Sequence, residues 1–133
     1  MWLYENKEVD GDIVEGYTGF VYRITNTVNG RKYIGKKLFK STRTKKVKGQ
    51  VRKKKVVSES NWKQYFGSNA ELLEDVEKYG ESSFKREIIA LCKTKGTANY
   101  LEMKYQILEN ALESTEYYNQ WIAVKVHKSQ IKL

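Results

Sequence analysis

Gly19-Phe20-Val21-Tyr22 and, after ten intervening residues, Tyr33-Ile34-Gly35 lie either side of an Asn29-Gly30 pair. Asn-Gly between β-branched and aromatic residues predicts a hairpin, with strands over Thr18 to Thr25 and Lys32 to Leu38. A two-residue loop of this kind takes positive φ at both turn positions. By the period-2 rule Tyr22, Ile24 and Asn26 share one face of the first strand, and Tyr17, Gly19 and Val21 the other. Tyr33 and Gly35 share a face of the second. Two tyrosines therefore come side by side, as a stabilising cross-strand pair or as part of a site.

At 133 residues the chain is long enough for one core and one domain. Four Phe, ten Tyr and three Trp supply bulky apolar material, and Pro is absent. Cys92 is the single cysteine, so no internal disulfide forms; its Ile88-Ile89-Ala90-Leu91 context predicts a buried strand residue in a reducing compartment. Met1 to Lys7 has no apolar run of the kind a signal peptide or membrane span needs, which predicts a cytoplasmic protein.

Net charge is +9, and its excess is local. Lys36, Lys37, Lys40, Arg43, Lys45, Lys46, Lys48, Arg52, Lys53, Lys54 and Lys55 fall in one stretch with no acidic residue, while the rest of the chain holds 14 basic and 16 acidic residues. Such a stretch is the footprint of a polyanion partner, because neutralising phosphates releases condensed counterions. A solvated loop or a localisation signal would look similar, whereas a membrane surface fits less well without an amphipathic helix.

Residues 1–16 show no period and read as a mostly irregular segment, with Trp2, Leu3 and Tyr4 able to pack on the domain that follows over 17–121, and 122–133 as a short basic tail. The centre of 44–57 alternates basic and β-branched residues around Gly49, which predicts either an exposed ribbon turning at Lys48-Gly49-Gln50 or a disordered basic loop. Trp62 and Tyr65 anchor that insertion to the core, or Trp62 stacks on a base. Ser68-Asn69-Ala70-Glu71 has the form of a capping box ahead of a helix whose Leu72, Leu73, Val76 and Tyr79 share a face, stopped at Gly80. Phe84 to Leu91 reads as a third strand. Asn99 to Leu112 reads as a helix with Leu101, Tyr105, Leu108 and Leu112 on its buried stripe. Glu102 borders that stripe, where it either pairs with a lysine or reaches a cleft.

Together these positions resemble the GIY-YIG nuclease family, with Phe-Val in place of the usual first-motif residues, over about Tyr17 to Asn119. The likeness is greatest to small phage-encoded members, which include free-standing homing endonucleases. It implies an α+β fold: a small three-stranded antiparallel sheet flanked by helices, here with an inserted basic ribbon or loop. It also implies a catalytic set of Tyr22, Tyr33, Gly35, Arg43, Glu102 and Asn119. The family places its arginine on a helix eight residues past the Tyr-Ile-Gly glycine, which is Arg43. Four residues further, where relatives carry histidine or tyrosine, this chain has Val47, and its one histidine is His127.

By that resemblance Tyr22 is the general base, Tyr33 positions water or phosphate, and Glu102 holds a single Mg²⁺, with Mn²⁺ as the alternative. Asn119 orients a tyrosine or a water, and Gly35 lets the ligand approach. A phenol near pKa 10 is a poor base at neutral pH, so Lys36, Lys37 or Arg43 is expected to lower it. Arg43 bridges the scissile phosphate, with Lys37 or Arg52 as substitutes. Three functions follow: a DNA endonuclease of homing or host-DNA-degrading type acting on double-stranded DNA in the host cytoplasm; a silent basic module binding DNA or RNA; or a nuclease subunit directed by a partner. Cutting both strands would call for a homodimer or sequential nicking.

Overall fold

The computed structural model describes residues 1–46, 49, 53–122 and 125–133, without the side chains of 43–46 and 53–55. The expected turn at Lys48 and Gln50, the departure at Val47, and the side chains of Arg43, Lys45, Lys46, Lys48, Arg52, Lys53, Lys54 and Lys55 lie outside the described residues. In chain order the elements are β1 (Trp2–Tyr4), β2 (Lys7–Glu8), α1 (Ile13–Gly16), β3 (Gly19–Asn26), β4 (Lys32–Leu38), β5 (Lys40–Lys46), β6 (Lys53–Glu59), α2 (Ala70–Tyr79), β7 (Phe84–Cys92) and α3 (Lys95–Leu108). No helix among the described residues is long and apolar enough to cross a membrane.

The fold is α+β, but its sheet has five strands rather than three, in the order β2-β1-β7-β3-β4. β3 lies antiparallel to both β4 and β7, and β1 joins β7 in parallel. Residues 19–22 are all buried because both faces of the sheet are covered. Phe20, Tyr22 and Ile24 pack with Trp2, Phe39, Trp62 and Leu72 on one face. Val21 and Ile34 pack with Cys92 and Ala98 on the other, under Leu101 and Tyr105. The β3–β7 register slips between Val21 and Tyr22, a bulge of the kind that re-aims a side chain.

The two added strands overturn the reading of residues 1–16 as irregular. Strands of three and two residues are too short to show a period. They are held instead by Trp2, which is 2% exposed and donates its indole N–H to the Trp62 carbonyl at 2.6 Å. Glu5 and Asn6 both take positive φ, 51° and 66°, so the two-residue turn closes β1 onto β2. The Asn29-Gly30 loop is wider than expected: Asn26 N–H donates to the Arg31 carbonyl, and of the pair only Gly30 has positive φ.

Helix boundaries shift for reasons of side-chain chemistry. Asn69, not Ser68, caps α2 by accepting from Leu72 N–H at 2.9 Å, and Glu71 pairs with Arg31 instead of reaching back. Leu73 is 43% exposed, off the face that buries Leu72. α3 starts earlier, at a Thr94 cap that accepts from Thr97 N–H. Its buried residues are Thr97, Ala98 and Gln106, while Leu108 and Leu112 face solvent. The basic insertion is a two-stranded antiparallel ribbon, β5 with β6, starting at Lys40 rather than Thr44. Arg43 therefore sits in a strand, opposite Val56, not on a helix. Cys92 is buried as expected, and burial pushes its thiol up to about 11.

Gly35 pairs with Tyr22 across the hairpin, and the Tyr22 ring occupies the space a Cβ would need: such an atom would lie 2.6 Å from Tyr22 Cζ and 3.0 Å from Tyr33 Cε2. The close approach that demands glycine is thus to a buried ring. Gly35→Ala should cost about 1–3 kcal/mol by overpacking, measured as a lower thermal midpoint against wild type.

Candidate active site

β4 is the sheet's edge, so alternate residues turn their backbone groups away from β3 and need partners elsewhere. Lys32 N–H donates to the Glu116 carbonyl at 2.8 Å, and Tyr118 N–H donates to the Lys32 carbonyl at 2.7 Å. Two residues on, Ile34 N–H donates to Asn119 Oδ1 at 3.0 Å, and its carbonyl accepts from Asn119 Nδ2 at 2.8 Å and Gln106 Nε2 at 3.0 Å. Two further on, the Lys36 backbone N–H faces the Glu102 carboxylate and favours its charged form. Glu102 and Gln106 stand one turn apart on α3, which is why one helix face can reach both positions.

This row brings Glu102 and Asn119 to a cleft of about 270 Å³, whose walls include Tyr33, Lys36, Ser68 and Gln106. Burial pushes the Glu102 carboxyl above its ordinary range, opposed by the Lys36 charge and by the Lys36 N–H. Tyr33 Oη lies 3.4 Å from Ser68 Oγ. Burial raises the Tyr33 phenol, the Ser68 hydrogen bond lowers it, and Glu102 raises it.

Tyr22 lies behind the cleft. It is 1% exposed, and its ring centroid is 6.2 Å from that of Tyr33 and 6.0 Å from that of Tyr65. Burial raises its phenol well above the ordinary value, and Tyr65, Tyr33 and Glu102 add to the rise. The expected lowering of the tyrosine by Lys36, Lys37 or Arg43 is therefore reversed in direction. Lys36 acts on Glu102, and Lys37 Nζ stands 4.1 Å above the Tyr65 ring, its own ammonium shifted down by burial.

Asn119 also differs from expectation. Both ends of its amide are engaged by the Ile34 backbone, so it fixes the edge strand rather than a tyrosine or a water. His127 caps a turn in the tail, bonded to Ser129. Trp62 is core, 2% exposed. Lys36, Lys37 and Lys40 line a second cleft of about 500 Å³ with Thr42, Tyr65 and Lys95. Lys36 belongs to both clefts, so the basic groove and the carboxylate cleft adjoin at that residue.

Sequence reasoning missed Gln106, Tyr65, Ser68 and Lys95 as parts of the site. Gln106 had a readable signal, four residues past Glu102 on the same face. Tyr65 and Ser68 had none, since their approach to Tyr22 and Tyr33 is tertiary.

Among the described residues no three Cys, His, Asp or Glu side chains cluster as metal ligands. The donor set in the cleft is one carboxylate with neutral oxygens, Tyr33 and Ser68. That set fits a hard divalent ion that keeps most of its water, such as Mg²⁺ or Mn²⁺.

A family model described as "Putative endonuclease segE, GIY-YIG domain" matches residues 2–122. The protein of that name from Enterobacteria phage T4 is 31% identical over 100 residues, which are 75% of this chain and 39% of the relative, so the chain spans about two fifths of that protein's length. No solved structure matches the chain significantly. With the matched span running from the Trp2 strand to the Trp121 rim of the cleft, the chain belongs to the GIY-YIG family of endonuclease domains.

Proposed function

We propose that the chain hydrolyses phosphodiester bonds in DNA at the Tyr33–Glu102 cleft, with Glu102 holding one divalent cation, Mg²⁺ or Mn²⁺. The observation that carries this reading is the meeting of a partly buried carboxylate, a phenol and a lysine in one small polar cleft that adjoins a basic groove at Lys36. When bound, such an ion relieves charge on the scissile phosphate and acidifies a water. Lys36 offers a second positive charge at the same wall, and Arg43 a planar fork for the phosphate oxygens.

Of the two phenols, Tyr33 is assigned the handling of the attacking water, because a group that takes a proton must touch it and Tyr22 is sealed. Tyr22 and Tyr65 support the ring of Tyr33 and the strand that carries it. Any preference for sequence is assigned to the β5–β6 ribbon, which follows the groove directly in the chain. The biological setting, a phage-encoded enzyme of homing type in the host cytoplasm, rests on the motif resemblance and the phage relative. Burial of Tyr22 is the one observation that favours the alternative, a basic module that binds nucleic acid without cutting it.

Supercoiled plasmid decides between them. Wild type should relax it with Mg²⁺ and not with EDTA, and Glu102→Ala should abolish relaxation; no cutting in any divalent ion would leave the binding module. In the same assay Tyr33→Phe should lose about 10²-fold or more of the rate, and Tyr22→Phe much less. A larger loss at Tyr22 would return the base to that residue. Replacing Lys53, Lys54 and Lys55 by Ala should weaken DNA binding and flatten its dependence on salt by about one unit of log–log slope for each phosphate no longer neutralised, read by fluorescence anisotropy across a salt series.

A further inference from the structure

Three indoles divide sharply by environment: Trp2 and Trp62 are each 2% exposed, whereas Trp121 is 74% exposed. Trp121 forms part of the wall of the Glu102 cleft, with Gln120 and Ile122. It follows Asn119 by two residues, and Asn119 is bonded through its side chain to Ile34, so the rim is tied to the edge strand. A large exposed aromatic at the mouth of a phosphate-sized polar cleft stands within reach of a nucleoside next to a phosphate bound there. A nearby depression is formed by Ile107, Leu112, Glu113 and Ile122, but Trp121 does not line it.

The geometry points to Trp121 as a stacking platform for the base beside the scissile phosphate, a role that rests on the DNA reading of the cleft. Within a paired duplex both faces of a base are covered by its neighbours, so an indole can stack only on one that has left the stack. Unstacking is least costly where the base is already unpaired. The preferred substrate is therefore DNA with an unpaired base at the cut, such as a bubble, flap or single strand, over continuous duplex. Sequence tolerance follows, since every base presents a π face.

The test uses the full chain without divalent ion and labelled oligonucleotides read by anisotropy. Wild type should bind a bubble duplex more tightly than the same sequence fully paired. Trp121→Ala should bind the bubble about 5- to 100-fold more weakly, and Trp121→Phe should keep most of the affinity. The salt slope should be the same in all three, because no charge is removed. On an oligomer of abasic residues wild type and Trp121→Ala should bind alike. Tryptophan emission should be quenched by the bubble in wild type and not in Trp121→Phe, whose two indoles are buried.

Equal binding of the bubble by wild type and Trp121→Ala overturns stacking but leaves the DNA reading intact. Equal loss on the abasic oligomer, or no preference for the bubble, also overturns it. Self-association without DNA that Trp121→Ala abolishes would make the residue a protein contact instead. Failure of wild type to bind any oligonucleotide removes the DNA reading itself.

Discussion

The unpaired backbone edge of β4 is the constraint on which the site depends. An edge strand presents N–H and C=O groups that cost about 1–3 kcal/mol each if buried without partners. Here they are met in sequence by the backbone at 116–118, the Asn119 amide and the Gln106 amide, and the Lys36 N–H faces the Glu102 carboxylate. The last of these places a partly buried negative charge beside Tyr33. Folding thus fixes the carboxylate before any ligand arrives, with the Lys36 N–H and the Lys36 charge holding it there. Glu102 faces both the sheet edge and the cleft, and Asn119 serves the cleft only by way of the sheet.

Behind that edge stands an aromatic wall. Trp2 meets Phe20 and Tyr22 at centroid distances of 5.0 and 5.2 Å, and Tyr65 meets Tyr22 edge-on. Arg86, 5% exposed, locks the segment that delivers Tyr65 by donating to the Lys63 and Tyr65 carbonyls at 3.0 and 2.8 Å. Packing of this kind makes the Tyr33 ring rigid, but it also dries the phenols, which raises both. The resting protein is therefore built for placement rather than for basicity. Burial is the larger cause of both shifts, and the Glu102 charge adds to each.

How much of this could be read from the chain depends on the range of each interaction. The hairpin, the paired tyrosines, Gly35 and Glu102 were legible because strand period, helix border and motif spacing are local. Asn119 was legible as a position but not as a bidentate partner of Ile34, which lies 85 residues away. Trp2–Tyr4 was legible as a stretch able to pack on the domain but not as a strand, because the β7 it pairs with lies far along the chain. The α3 face was misjudged where polar Thr97 and Gln106 took buried places that an apolar template assigns to Leu108 and Leu112. The direction of the tyrosine shifts was misjudged for a related reason. Nearby lysines are visible in sequence, while burial, the dominant cause, is not.

Charge geography narrows what can grip a phosphate. Of the arginines, Arg23 is paired with Glu87 at 3.1 Å and with Glu109, Arg31 with Glu71, and Arg86 with two carbonyls between the rings of Trp2 and Phe66. These three are committed to holding elements together, and their positive charge is largely met within the fold. The remaining two, Arg43 and Arg52, both fall in the basic stretch that carries the chain's excess charge. Among the lysines, Lys36, Lys37 and Lys40 line the groove, while Lys85, on the central strand β7, lies 3.8 Å from Glu87. Lys37 and Lys40 border the same groove as Lys36, which also lines the Glu102 cleft, so the described positive charge of this face adjoins the carboxylate.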